Sequence, residues 1–173
     1  GNSGEAMRFA GQRCALLHKI GDLGTEAAQL CAIAKMHLEK WEVEAAVEAG
    51  QAAEALYRDI GDRRGEAVVL LEINAQVQLL RGYGDLALLA SSEAVALFRE
   101  AEDRRMEAKA LEAVAKGHLA AKEPEKALMA LNEATAAHFQ REGSDRQGRA
   151  LLLRATADAH LMKEDTVEAL KAA

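Results

Sequence analysis

Residues 21–27 read GDLGTEA and residues 61–67 read GDRRGEA, and this recurring stretch decides the fold. Two further segments align with it, EDRRMEA at residues 102–108 and SDRQGRA at residues 144–150. The shared aspartates fall at positions 22, 62, 103 and 145. Self-similarity at a period of roughly 40 residues is the sequence signature of a repeat architecture.

Each segment carries an aspartate placed to cap a helix. The side chains of these aspartates can accept hydrogen bonds from backbone N–H groups that the first helical turn leaves unsatisfied. The four residues are Asp22, Asp62, Asp103 and Asp145. In the first three repeats a glutamate follows four residues later, where its charge favours the positive end of the helix. Apolar residues then recur with helical period, including a leucine at one shared repeat position: Leu30, Leu70, Leu111 and Leu153.

A second helix is predicted in each repeat after a short break. The breaks fall at 40–42, 82–84 and 122–124, and Pro124 suits the first turn of the helix that follows. Alanines two turns apart, such as Ala46 and Ala53, leave room for close antiparallel packing. The sequence predicts an all-α fold without strands, with nine helices at about 5–20, 24–40, 43–59, 64–81, 84–100, 103–121, 124–141, 145–162 and 165–173.

Taken together, these patterns resemble the tetratricopeptide repeat (TPR), in its longer variant of about 40 residues with a Gly-Asp-x-x-Gly-Glu-Ala start. The resemblance covers essentially the whole chain. It implies a right-handed α-solenoid of antiparallel helix pairs, used as a protein-binding or scaffold module. Two positions depart from the family pattern. Its bulky aromatic in the second helix is replaced by Gly50, Ser91 and Leu131, and its first-helix tyrosine by His37, Val77, His118 and His160.

One helical-repeat domain over residues 1–173 is expected from this pattern. It would contain a partial repeat at 5–20, full repeats at 21–60, 61–101 and 102–143, and a truncated repeat at 144–173. Because terminal repeats of solenoids normally carry polar caps, we expect a fragment of a longer protein. The incomplete repeats at the ends also make a homo-oligomer formed by end-to-end stacking plausible.

Charge and composition argue against some classes of binding partner. The net charge is −6 with both signs interspersed, which argues against a general nucleic-acid binder with a basic face. No apolar stretch is long enough to span a membrane, and no membrane partner is expected. Cys14 and Cys31 form no disulfide framework, and both are expected to be buried, reduced thiols. A cytoplasmic location is the default expectation.

We expect neither an enzyme nor a cofactor. The sequence has no nucleophile elbow and no phosphate-cradling loop. His37, His118 and His160 share one repeat position, so they would lie on separate helices about 10 Å apart. That spacing is too wide for three ligands about 2.0–2.1 Å from one zinc ion, and no metal is expected.

The TPR resemblance places the ligand groove on the inward-facing positions of each repeat's first helix. The expected groove residues are Lys35, Leu38, Val68, Leu71, Gln78, Lys109, Glu112, Lys116, Leu119, Arg154, Asp158 and Leu161. Their mixture of apolar and cationic side chains suits an extended or helical peptide that carries apolar and acidic groups. The Lys and Asn clamp of the chaperone-binding members is absent, since its positions hold, for example, Cys31 and Lys35.

Three alternatives stay open at this point. The apolar groove residues could belong to the core between repeats, with the remainder as ordinary surface. The chain could be a structural or self-associating scaffold. It could also be a docking domain of a larger multidomain protein.

Overall fold

A computed structural model describes residues 2–140 and 146–172, with side chains described for 4–135, 146, 147, 150 and 152–163. This part of the chain is α-helical and contains no strand, which confirms the predicted fold class. The helices are α1 Asn2–Ile20, α2 Leu23–Glu39, α3 Val43–Asp59, α4 Arg63–Val69, α5 Ala75–Leu80, α6 Gly84–Glu100, α7 Arg104–Ala120, α8 Pro124–Gln140 and α9 Arg146–Ala172. A π-helical segment, Leu70–Asn74, joins α4 to α5 in one continuous rod.

The chain forms two compact units, Gly1–Val77 and Gln78–Ala173, here called unit 1 and unit 2. In unit 1, α2 packs against α1 and α3, and both α2 and α3 contact α4 and the π segment. In unit 2, α7 packs against α6, α8 and α9, and α9 also contacts α8. Within each unit, helices adjacent in sequence are therefore adjacent in space. We call α2, the rod of residues 63–80, α7 and α9 the A helices, and α1, α3, α6 and α8 the B helices.

A single residue of left-handed backbone ends the helix before each turn in residues 2–140. At every such turn its N–H bonds to the carbonyl three residues back, and the next N–H bonds to the carbonyl five residues back. These paired bonds satisfy carbonyls that the helix end would otherwise leave open. The left-handed residues are Gly21, Trp41, Gly61, Gly82, Glu102 and Lys122. Consecutive residues of this series are 20 positions apart, except for Gly61 and Gly82, which are 21 positions apart.

The π segment absorbs that extra residue. The π segment lies between Gly61 and Gly82, the two turn residues that are 21 rather than 20 positions apart. A π-helical turn contains one more residue than an α-helical turn, so the helical stretches on either side of it keep the same faces toward the neighbouring helices. The register therefore shifts by one within this repeat. The buried alanine equivalent to Ala34 and Ala115 is Ala75.

The core is built from small residues and close backbones. In unit 1, Ala27 and Ala34 on α2 are fully buried. Ala46 and Ala53 on the B helix α3 are fully buried too, as their spacing predicted. In unit 2, α6 and α7 approach each other through glycine. A Cβ on Gly84 would lie 2.8 Å from the backbone nitrogen of Ala121. Backbone atoms do not yield as a flexible side chain does, so the B helix can pack this closely only where a side chain is missing.

Buried glutamates tie consecutive helices together across the turns. The capping aspartates behave as predicted, with Asp22, Asp62 and Asp103 each accepting a backbone N–H three residues ahead at 2.9–3.1 Å. The glutamates that follow do more than favour the helix end, because they are buried and face a basic residue eight positions earlier. The pairs are His18–Glu26 at 3.1 Å, Arg58–Glu66 at 3.8 Å and Arg99–Glu107 at 2.9 Å.

Two sequence-based expectations need correction. A break was expected between residues 162 and 165, but α9 runs without interruption through Arg146–Ala172. Residues 149–172 contain neither glycine nor proline, so nothing around the expected break opposes helix continuation. Cys14 is only half-buried, whereas Cys31 is buried as expected, and burial raises the pKa of the Cys31 thiol to about 11. Asp145, the fourth expected cap, lies outside the described residues.

Within the described part of the chain, no helix combines the length and apolarity that a membrane crossing requires.

Replacing glycine by alanine should have opposite effects at two positions. At Gly61 the backbone has φ +72° and a Cβ would meet nothing within 4 Å, so Gly61→Ala adds only backbone strain. We expect a loss of about 1 kcal/mol in unfolding free energy. Gly11 lies inside α1, also with open space around it, and Gly11→Ala should add about 0.5–1 kcal/mol through helix propensity. Urea denaturation followed by circular dichroism measures both. The same sign for both changes would contradict the turn assignment.

Deleting Asn74 should be tolerated, because the deletion returns the rod of residues 63–80 to a regular α-helix in register with α2. Deleting exposed Lys116 from regular α7 is the matched control, since it rotates every later side chain of that helix by about 100°. We expect the Asn74 deletion variant to unfold cooperatively on heating. The Lys116 deletion variant should show no cooperative thermal transition. Equal damage from both deletions would show that the π segment does not absorb an extra residue.

Candidate protein-binding pocket

Four of the expected groove residues lie in unit 1, and they do not form an open surface together. Leu71 is 2% exposed and belongs to the core, so its prediction as a groove residue was wrong. The same repeat position is buried in the regular helices α2 and α7, where Cys31 and Glu112 are each 5% exposed. The next residue, Glu72, faces the neighbouring A helix. There the Glu72 carboxylate forms an ion pair with Lys35. Leu38 packs against the unit 1 core, and Val68 is half-buried.

In unit 2, by contrast, four expected groove residues line one pocket. Lys109, Glu112, Lys116 and Arg154 border an open cavity of about 640 Å³. Its wall is completed by Arg105, Met106, Gln147 and Ala150. All eight residues come from two neighbouring A helices, α7 and α9, that pack against each other.

Helical spacing explains why these residues meet. Arg105, Lys109, Glu112 and Lys116 are separated by four, three and four residues, which places them on one face of α7. On α9, Gln147, Ala150 and Arg154 follow the same rule with intervals of three and four. Two stripes of mostly polar side chains, one on α7 and one on α9, therefore border the cavity. The small side chain of Ala150 leaves space where a longer residue would reach into the cavity.

Glu112 organises the pocket from its floor. It is 5% exposed, and its Oε1 accepts a hydrogen bond from Arg154 Nη2 at 2.5 Å. The same oxygen lies 3.2 Å from Lys116 Nζ. The hydrogen bond and charge of Glu112 raise the pKa of Arg154, and the charge of Asp158 adds to this effect. A buried carboxylate thus holds two cations from different helices, while both cationic side chains remain largely exposed.

The pocket is electropositive on an acidic protein. Its wall carries Arg105, Lys109, Lys116 and Arg154 against the single carboxylate of Glu112. The chain as a whole has a net charge of −6. Positive charge concentrated in a concave site attracts anions more strongly than the same charge spread over a surface.

The remaining expected groove residues of unit 2 lie outside the pocket wall. Leu119 packs against the unit 2 core, so the alternative that some apolar groove residues belong to the core holds for this position. Gln78 is half-buried, and its Oε1 is buried without a hydrogen-bond partner. Asp158 and Leu161 are exposed on α9, four and seven residues beyond Arg154 and therefore on the same helical face.

Sequence reasoning missed Arg105, Met106, Gln147 and Ala150. They precede Lys109 and Arg154, the first expected groove residues of α7 and α9, so the expected groove began too late along each helix. The signal was present in the recurring stretch itself. Arg64, Arg105 and Gln147 occupy the same position of this stretch.

The histidines at the shared repeat position act as local side-chain partners. His37 Nδ1 lies 2.6 Å from Glu42 Oε2, and His118 Nδ1 lies 3.1 Å from Glu123 Oε2. Both pairs span the turn from an A helix to the next B helix, whereas His160 is exposed. Among the described residues, no cluster of three His, Cys, Asp or Glu side chains is placed to hold a metal ion.

Comparison with known proteins identifies the fold. No family model matches the sequence, and no curated protein matches it significantly. A solved structure from Podosopora anserina, described as a candidate kinesin light chain with nearly identical TPR-like repeats, superposes with a TM-score of 0.75 at 17% identity. The match covers 99% of this chain and 83% of the other, and a point variant of that protein gives the same values. The chain therefore has the TPR-like repeat fold that its sequence resembles.

The pocket cations should be removable without unfolding the protein. Arg154 is largely exposed, and Lys116 still pairs with buried Glu112 in its absence, so Arg154→Gln should leave the urea midpoint nearly unchanged. The matched control is Leu152→Ala, two residues away on α9 and fully buried, which should cost about 2–5 kcal/mol. Urea denaturation compares the two variants. A loss of stability at Arg154 as large as that at Leu152 would show that the ion pair with Glu112 holds the fold rather than the site.

Proposed function

We propose that this chain is a protein-interaction module that binds a peptide or protein segment along the A helices of unit 2. The observation that carries the proposal is the pocket between α7 and α9, where Lys109, Glu112, Lys116 and Arg154 meet. Its volume of about 640 Å³ suits one or two side chains of a ligand. The TPR-like fold supports the same reading, because it presents successive helices side by side.

The surface beside the pocket suits an extended ligand. Leu161 is 62% exposed and lies on the face of α9 that carries Arg154. With a rise of about 1.5 Å per residue, the two are about 10 Å apart along the helix. A ligand segment could therefore place an acidic group in the pocket and an apolar side chain over Leu161. This combination matches the mixed apolar and acidic peptide expected from the sequence.

A self-associating scaffold is the second candidate. Phe9, Leu16 and Ile20 on α1 are 57%, 61% and 73% exposed, at spacings that place them near one another on the helix. Leu153 on α9 is also 53% exposed. Apolar surface of this kind is typical of an interface. A docking role within a larger protein is compatible with either candidate.

Affinity capture from a lysate of the source cells tests the first candidate. The wild-type chain is compared with Lys116→Glu/Arg154→Glu, which reverses two pocket charges, and the captured proteins are quantified by mass spectrometry. The matched control is Arg13→Glu/Lys19→Glu, which reverses two exposed charges on α1. We expect a partner that is retained by the wild type and the control and reduced at least tenfold by the pocket variant.

Equal capture by all three folded proteins would refute the pocket as the binding surface.

Light scattering, which gives the mass of the protein in solution, tests the self-associating scaffold. A monomeric mass at high concentration would exclude self-association, and a dimer that Leu16→Asp dissociates would favour it.

A further inference from the structure

The geometry points to a doubly charged anionic group as the part of the protein ligand that the pocket accepts. This inference rests on the proposed function and names the chemistry that its binding site selects. The group would be a phosphomonoester on a side chain or a pair of neighbouring carboxylates, since both present two negative charges to one small volume.

The lining charges favour a ligand group with two negative charges. Four cationic side chains and one carboxylate line the pocket, and the charge of Asp158 also acts on Arg154. Cations therefore outnumber carboxylates around the cavity, and a dianion is attracted about twice as strongly as a single carboxylate. Repulsion among the cations in the empty pocket is relieved most by the ligand with the larger charge.

The arrangement of the cations is partly fixed before a ligand arrives. Arg154 and Lys116 are held by the same oxygen of buried Glu112, at 2.5 Å and 3.2 Å. Holding long side chains in place reduces the entropy that they would otherwise lose when a ligand binds. Arginine also offers a planar fork of donors that matches phosphate and carboxylate oxygens. Glu112 thus positions the cations, but its own charge opposes an anionic ligand.

The cavity favours a side chain over a long polyanion. It is bordered by stripes of limited length, from Arg105 to Lys116 on α7 and from Gln147 to Arg154 on α9. The rest of the chain carries an excess of acidic residues, which would repel an extended nucleic-acid backbone. A peptide that presents its charges at one point avoids this repulsion.

Fluorescence anisotropy with designed peptides tests the inference. Three labelled nonapeptides share one frame with a leucine placed about three residues after the centre. The central position holds a neutral Ser-Ala pair, a phosphoserine-Ala pair or a Glu-Glu pair. A single-stranded oligonucleotide of similar length is the fourth probe. We expect both anionic peptides to bind at least tenfold more tightly than the neutral one, and the oligonucleotide to bind more weakly than either.

Two pocket variants should change the affinity for the anionic peptides in opposite directions. Arg154→Gln should weaken binding about tenfold, whereas the control Lys19→Gln on α1 should leave it unchanged. Glu112→Gln keeps the shape of the buried side chain and an oxygen that can accept the hydrogen bond from Arg154, but it removes the negative charge, so it should tighten binding about fivefold. A gain of affinity cannot arise from unfolding, so this variant separates the electrostatic effect from damage to the fold.

Several outcomes would overturn the inference. These are equal binding of the neutral peptide, tighter binding of the oligonucleotide, no binding of either anionic peptide at millimolar concentration, or weaker binding by Glu112→Gln. Tighter binding of the phosphoserine peptide would identify phosphorylation as the source of the dianion, and tighter binding of the Glu-Glu peptide would identify acidic sequence.

The proposed function can survive this failure. If capture still depends on Lys116 and Arg154 while the peptides show no preference for charge, the pocket binds a protein by other chemistry. If capture is indifferent to both residues, the proposed function and the inference fall together.

Discussion

One left-handed residue before each turn of residues 2–140 sets the spacing of the helices. It reverses the chain at nearly constant intervals and closes the helix end with the same pair of backbone hydrogen bonds each time. Two reversals bring the chain back to an equivalent A helix. Arg154 and Glu112 lie on neighbouring A helices, and the packing of α9 on α7 brings the two side chains together. The pocket of unit 2 is thus built from two helix faces.

Close packing and buried charge then hold the helices in this arrangement. Alanine and glycine let the backbones of α6 and α7 nearly touch, while the pairs of His18 with Glu26 and Arg99 with Glu107 connect a B helix to the next A helix. A buried carboxylate is costly unless it is paired, so each pair also disfavours other registers. Glu112 repeats this device between two A helices, where it pairs with Arg154 across α7 and α9.

Much of the fold could be predicted from the sequence, because the determinants recur at a nearly fixed interval. The capping aspartates, the alanine positions and the helix order followed from local patterns. The π segment could not be predicted from apolar spacing alone, since Leu70, Leu71 and Ile73 suit an α-helix equally well. Leu71 was misassigned to the surface because its repeat position is buried in this fold, as it also is at Cys31 and Glu112. The pocket was only half predicted, because Lys109, Glu112, Lys116 and Arg154 follow the family's positions, whereas Arg105 and Gln147 contribute through the particular packing of α7 on α9.

We propose that the stripes on α7 and α9 form one binding site for an anionic protein segment. Amide chemical shifts of the ¹⁵N-labelled chain, recorded during titration with a phosphoserine-containing peptide, test this proposal. The largest shift changes should fall on residues 105–116 and 147–154 together, and they should saturate at one common peptide concentration. Changes centred on α1 or on the turn at Trp41, or separate saturation of the two stripes, would contradict it.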